Sequence, residues 1–296
     1  MTRQQNTDRI QTTHIGSLPR PHALLDLMKA KFSGQAYDES KYETAIADAV
    51  RDVVRRQVDS GIDIVTDGEF SKPGFFTYVH ERLEGFERRP DQKLKLFAQE
   101  VAAFPEYYAE YFKQAMMGGA IVGLAPVVCV GPIKYRGEKF VARDIQNVKR
   151  AAAAARVPDH HVFLPATAPS GVGINEYYQS DEEYFHALAA ELAKEYRAIT
   201  DAGILVQIDD PFLPDIFFEP GLDRAQMRRR AEIYVEATNA ALAGIPPEKV
   251  RFHTCYGINE GPRLYEAALS DIIEYVLKIN AGSYSFEAAN PRHEHE

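Results

Sequence analysis

The sequence predicts a single (β/α)8 barrel of the TIM type, and three observations carry that expectation. Short apolar or β-branched runs alternate with long amphipathic segments at intervals of roughly 35–50 residues, the rhythm of parallel βα units. Each run starts apolar and ends in polar or special residues, as strands do whose carboxyl ends open into a barrel's active site. No G-x-G-x-x-G follows the first run and no Walker loop occurs, so an open nucleotide-binding sheet has little support. A length of 296 residues suits one such barrel as well as two ordinary domains.

In order, the candidate strands are "THIGSLP" (13–19), "IDIVTDGE" (62–69), "LAPVVCVG" (124–131), "HVFLPATAP" (161–169), "GILVQIDDP" (203–211), "VRFHTCYG" (250–257) and "SYSFEAANP" (283–291). The clearest helix begins at Ser180, with Glu183 three residues on as in a capping box. From there Phe185, Leu188, Ala189, Leu192, Ala193, Tyr196 and Ile199 form one apolar stripe. Met227, Ala231, Tyr234, Val235, Ala241 and Leu242 repeat the pattern before the sixth strand. Residues 70–120, dense in Phe and Tyr, form an excursion, either a lid over the mouth or a helical insertion on the outside. Seven strands are one short of a closed barrel. The expectation is one domain over 1–296, with the last strand and helix beyond residue 296.

Composition narrows the partners. Acidic residues outnumber basic ones, 43 to 34, and "RRR" at 228–230 falls on a helical face, so no positive stripe tracks a phosphate backbone and no nucleic acid is expected. No run of eighteen apolar residues occurs and the N-terminus is polar, which predicts neither a membrane span nor a secretory leader. Two cysteines make no disulfide framework and agree with a cytoplasmic location.

Cys129 sits mid-strand in an apolar run and reads as an inert core thiol. Cys255 is different. Side chains alternate along a strand, so His253 and Cys255 point the same way at the end of the sixth strand. Taken alone, H-x-C leaves two readings: a pair of zinc ligands, or a small buried thiol beside a hydrogen-bonded imidazole. Glu287 ends the next strand and would lie beside the pair, supplying a third ligand for a catalytic zinc with an open position. "HEHE" at 293–296 has ligand-type residues but reads as exposed tail, and Tyr177-Tyr178 either shape the pocket or pack.

The ordered segments "TTHIGSLPRP", "GIDIVTDGE", "AGILVQIDDP", "FHTCYG" and "YSFEAANPR" resemble the catalytic barrel of cobalamin-independent methionine synthase, from about residue 12 to 291. The resemblance implies a zinc-dependent thiol methyltransferase with His253, Cys255 and Glu287 as metal ligands and a fourth, cysteine ligand beyond residue 296. It implies amino-acid contacts at Ile15, Gly16, Ser17, Glu69 and Asp209, where two carboxylates can hold an ammonium and main-chain N–H groups a carboxylate. Homocysteine would be the thiol and 5-methyltetrahydrofolate the methyl donor. No general acid is assigned within these residues. "QIDDP" departs from the family by placing a second Asp, Asp210, after the first. Without the resemblance, capping by Ser17 or Asp210 and turn formation by Asp67-Gly68 are the simpler readings. The alternatives are an epoxyalkane:coenzyme M transferase-like enzyme, in which Lys72 or Arg20 would meet a sulfonate, and a non-catalytic ligand-binding barrel.

Overall fold

The computed structural model describes residues 9–92, 98–114, 121, 125–255, 262 and 264–287. In chain order the elements are α1 (His22–Phe32), α2 (Glu39–Asp59), β1 (Val65–Thr66), β2 (Leu83–Arg88), α3 (Ala98–Ala103), α4 (Pro105–Gln114), β3 (Val127–Tyr135), α5 (Glu138–Ala154), β4 (Val162–Thr167), β5 (Ile174–Asn175), α6 (Asp181–Asp201), β6 (Leu205–Asp209), α7 (Phe212–Asp215), α8 (Arg224–Ala241), β7 (Val250–Thr254), α9 (Leu269–Val276) and β8 (Ser283–Phe286). They form two sheets. The larger runs β1-β4-β6-β7-β8, parallel throughout, and Thr13 adds a single parallel bridge to Ile64 at its β1 edge.

Alternation along these strands divides two environments. Val162, Leu164, Ala166, Val206, Ile208, Val250 and Phe252 face the helices and join the main core. The opposite face begins apolar, with Ile64, Phe163 and Leu205 in one small cluster. It then turns polar through Gln207, Asp209, Arg251 and His253, all buried. A flat sheet would set the Thr13 strand about 19 Å from β7, four strand spacings away. Yet Arg251 donates to Thr13 Oγ1 at 2.9 Å and to the His14 carbonyl at 3.1 Å. The sheet is therefore curled into a parallel half-barrel, with the polar face on the inside.

Three sequence expectations change. "LAPVVCVG" does not enter the curled sheet: β3 pairs antiparallel with β2 and parallel with β5 in a separate three-stranded sheet. The register shifts between Glu84 and Phe86, where the single residue Gly85 (φ 92°) stands against residues 130–133 of β3, and a Cβ on it would lie 2.7 Å from the carbonyls of Gly131 and Pro132. "THIGSLP" forms no strand beyond its one bridge, because side chains of Arg251 and Gln207 take the His14 and Ile15 carbonyls that a ladder would use. The 70–120 excursion contributes β2 as well as α3 and α4.

Helix chemistry follows the sequence closely. Ser180 caps α6 by accepting from the Glu183 N–H at 3.1 Å, but the Glu183 carboxylate turns to the Gln179 N–H, so the box is not reciprocal. A full capping box occurs instead on α8, between Asp223 and Gln226. Between the layers Arg82 is buried, pairing with Asp144 of α5 at 2.6 Å and Glu195 of α6 at 3.0 Å. The hydroxyls of Tyr78 and Tyr135 also donate to Glu195, at 3.0 and 2.7 Å. Each buried charge thus has a counter-charge and hydrogen bonds, the condition for tolerating it.

Candidate active site at the carboxyl ends of the curled sheet

The site is assembled by register. Thr167 pairs with Asp209, Asp209 with His253, and His253 with Ser285. Paired residues in a parallel sheet share a face, so these four side chains line the inner end of the half-barrel. Continued two residues on, the same register would bring Cys255 beside Glu287, whose charge bears on the thiol.

His253 Nε2 lies 3.3 Å from Cys255 Sγ. The other ring nitrogen, Nδ1, is 3.1 Å from the Ser285 carbonyl. That carbonyl can only accept, so Nδ1 carries the proton and Nε2 presents its lone pair toward the sulfur. Burial, reinforced by the Arg251 charge, lowers the imidazole pKa to about 4, so the ring is neutral. Burial and then the charges of Asp209, Glu287, Asp215 and Glu69 push the Cys255 thiol well above its ordinary value. Ligands to one tetrahedral zinc at bond lengths of about 2.1 and 2.3 Å stand about 3.6 Å apart. The 3.3 Å pair fits a shared ion of that kind. Glu287 stands in register with the pair, although among the described residues no three His, Cys, Asp or Glu side chains are already drawn into one metal-holding cluster.

Next to this pair lies an acidic pocket. Glu69 is 2% exposed and, at φ 58°, occupies the left-handed region directly after Gly68 at φ 66°. Such strain in a non-glycine residue persists where surrounding contacts enforce it. Here its N–H donates to Asp67 Oδ1 at 2.9 Å, and its carbonyl accepts from Arg20 at 2.8 Å. Glu69 Oε1 accepts from the Ser17 hydroxyl at 2.9 Å, whereas Oε2 is buried without a hydrogen-bond partner. A Cβ at Gly16 would stand 2.7 Å from Oε1, so residue 16 must be small for the carboxylate to lie there. Asp209 Oδ1 accepts from Gln207 Nε2 at 2.7 Å, and the same amide reaches the Ile15 carbonyl at 2.6 Å. Burial and the Glu69 charge hold the Asp209 carboxyl well above the usual range. Ile15, Gly16, Ser17, Glu69 and Asp209 are therefore brought together, with the Ile15 side chain turned outward and 47% exposed.

The remaining candidates have other work. Asp210 accepts from the N–H groups of Phe212 and Leu213 at 3.2 and 3.0 Å and from Ser170 at 2.7 Å, capping α7. Arg20 donates to the carbonyls of Glu69 and Lys72 (2.8 and 2.7 Å), and Lys72 Nζ donates to the Pro165 carbonyl at 2.5 Å. Neither cation is presented to a sulfonate. Cys129 is buried in the separate sheet, its thiol 3.3 Å from the Gly131 carbonyl. Tyr178 accepts from the Ile133 N–H at 3.1 Å, a packing role, while Tyr177 is exposed. "HEHE" lies outside the described residues. Sequence reasoning missed Gln207, although it alternates with Asp209 in "VQID", and offered Lys72 only as a sulfonate contact, not as the cation beside Glu69.

The family model for the catalytic domain of cobalamin-independent synthase matches residues 10–135. A methionine synthase of Sulfolobus acidocaldarius is 27% identical over 249 residues, covering 84% of this chain and 62% of that protein. A 5-methyltetrahydropteroyltriglutamate–homocysteine methyltransferase of Thermotoga petrophila is 22% identical over 304 residues, 98% of this chain and 36% of that one. The chain thus spans about three fifths, or less, of these relatives. The fold is shared with a B12-independent methionine synthase from Shewanella sp. W3-18-1, solved in complex with selenomethionine (TM-score 0.60, 22% identity, 83% of this chain and 61% of that chain). No helix among the described residues is long and apolar enough to cross a membrane. With its curled parallel sheet, its paired imidazole and thiol and its acidic pocket, the chain is similar in sequence and fold to the catalytic domain of cobalamin-independent methionine synthases.

Proposed function

We propose that this chain is the catalytic unit of a zinc-dependent thiol methyltransferase, taking a methyl group from a 5-methyltetrahydropteroyl glutamate to homocysteine in the cytoplasm. The half-barrel is then part of one (β/α)8-type domain that includes residues 1–296. The observation that carries the reading is the 3.3 Å approach of His253 Nε2 and Cys255 Sγ, on the same inner strand ends as Asp209. His253, Cys255 and Glu287 would hold the zinc, which would supply a Lewis acid that keeps a bound thiol deprotonated and nucleophilic.

The protein's own groups do the rest. Glu69 and Asp209 are two buried carboxylates: Lys72 Nζ lies 3.8 Å from Glu69 Oε2, the Arg20 charge also bears on Glu69, and the Lys72 and Arg251 charges bear on Asp209. Glu69 Oε2 nevertheless has no hydrogen-bond donor, and the α-ammonium of an amino acid would supply one as a charge-assisted hydrogen bond. Main-chain N–H groups of Gly16 and Ser17 are close enough to Glu69 to receive the α-carboxylate. This anchoring aims the side-chain thiol toward His253 and Cys255. Burial of the strand ends excludes water, so these electrostatic contacts act at low dielectric.

The test is direct. Purified protein is assayed for bound zinc and for methionine formed from homocysteine and 5-methyltetrahydropteroyltriglutamate. Zinc together with methionine supports the reading. Amino-acid binding without zinc or turnover would make the chain a ligand-binding barrel instead.

A further inference from the structure

We infer that Thr167 is a specificity-determining contact for the substrate ammonium, completing a three-acceptor set with Glu69 and Asp209. The inference rests on the amino-thiol reading given above. An ammonium carries three N–H donors, so two carboxylates leave one donor to be satisfied inside a buried pocket.

Thr167 is placed to accept it. The sheet order β1-β4-β6 sets β4 between the strand that leads into Glu69 and the strand that ends at Asp209. Thr167 is the last residue of β4 and pairs directly with Asp209, so their side chains share the inner face. It is fully buried, and its Oγ1 has no hydrogen-bond partner. A buried hydroxyl left unsatisfied costs stability, and a ligand donor would relieve that cost.

The hydroxyl is also held in place and kept clear. The Thr167 N–H donates to the Tyr78 hydroxyl at 3.1 Å, and the Thr167 carbonyl accepts from the Tyr196 hydroxyl at 2.5 Å. Both main-chain groups at the strand end are thus pinned by buried phenols. A Cβ on Gly171 would come within 2.5 Å of Oγ1, so glycine there leaves the hydroxyl its space. Gln207 Oε1 is a further buried acceptor on this face without a hydrogen-bond partner, but it sits one layer deeper, two residues before Asp209.

The experiment is calorimetric titration of the full chain with L-homocysteine and with 4-sulfanylbutanoate, which lacks only the amino group. Thr167→Val keeps the shape and removes the hydroxyl; it should weaken L-homocysteine about tenfold and leave 4-sulfanylbutanoate unchanged. Thr167→Ser should restore L-homocysteine to within about twofold. If the valine variant fails to fold, Thr167→Ala is read by the same difference between the two thiols. Wild-type affinity for L-homocysteine in the hydroxyl-free variant, or equal weakening toward both thiols, would overturn the inference while leaving the amino-thiol reading intact. A wild-type chain that binds the two thiols equally, or neither, would overturn both.

Discussion

Lys72 places its ammonium 4.2 Å from the centre of the Tyr78 ring. The Arg82 guanidinium lies 4.6 Å from the same ring, so one phenol from the excursion meets the cation beside Glu69 and the cation that neutralises Asp144 and Glu195. The acidic pocket and the helix layer are joined through this residue.

Tyr78→Phe keeps the ring over both cations but removes the donor to Glu195 and the acceptor for the Thr167 N–H. It should lower stability by about 1–3 kcal/mol, the cost of leaving buried polar groups unmatched. Chemical denaturation checks this, with Tyr78→Leu expected to cost more because the ring is lost too.

Arg82→Met leaves Glu195 buried without its counter-charge, while Asp144 keeps Arg143 at 3.0 Å. A loss of about 3–5 kcal/mol is expected, by the same denaturation measurement. An effect below about 1 kcal/mol would mean that water reaches those carboxylates.

Cys255→Ser and His253→Ala each remove one of the paired donor atoms. Zinc content, read by mass spectrometry of the purified protein, should fall well below one per chain, and thiol alkylation should vanish. Full activity in both variants would end the zinc assignment.

Asp209→Asn and Glu69→Gln should act on the amino end of the substrate. KM for homocysteine is expected to rise about 10- to 100-fold in steady-state assays, as charge-assisted bonds are replaced by neutral ones. A drop in turnover with KM unchanged would move these carboxylates out of the binding role.

His80 gives a pH signature remote from the site. Burial, with the Arg88 charge adding, lowers its pKa to about 4, and its Nδ1 is buried without a partner. Between about pH 4 and 6.5 the unfolded chain therefore binds the proton more readily than the folded one, so stability rises with pH across that window and the contribution is lost on acidification. His80→Phe, whose ring would keep the contact with Phe86, should remove that pH-dependent contribution, up to about 3 kcal/mol across the window. Melting temperatures of both proteins from pH 4 to 7 measure it.

Much of the site could be read from residue order because it depends on alternation. "VRFHTC" announces that His253 and Cys255 share a face, and "VQID" that Asp209 faces inward. Helices were equally legible where periodicity and caps agree, as in α6. What could not be read was pairing. "VVCV" has the composition of a strand, and nothing local says that it joins β2 and β5 rather than the curled sheet. Nor does the first segment reveal that Arg251 and Gln207, far along the chain, will occupy its carbonyls. The Asp210 cap was legible only as an alternative, since its meaning depends on the short α7 that follows.

The inward and outward sets on β7 interlock one residue apart, His253 with the chemistry and Phe252 and Thr254 with the helix layer. Deleting or inserting a single residue within that strand would exchange the two sets, burying donors in oil and turning a phenyl ring to the ligand. Folding and catalysis therefore read the same frame there, and length changes in the gene should be tolerated in the connecting turns but not within those five codons.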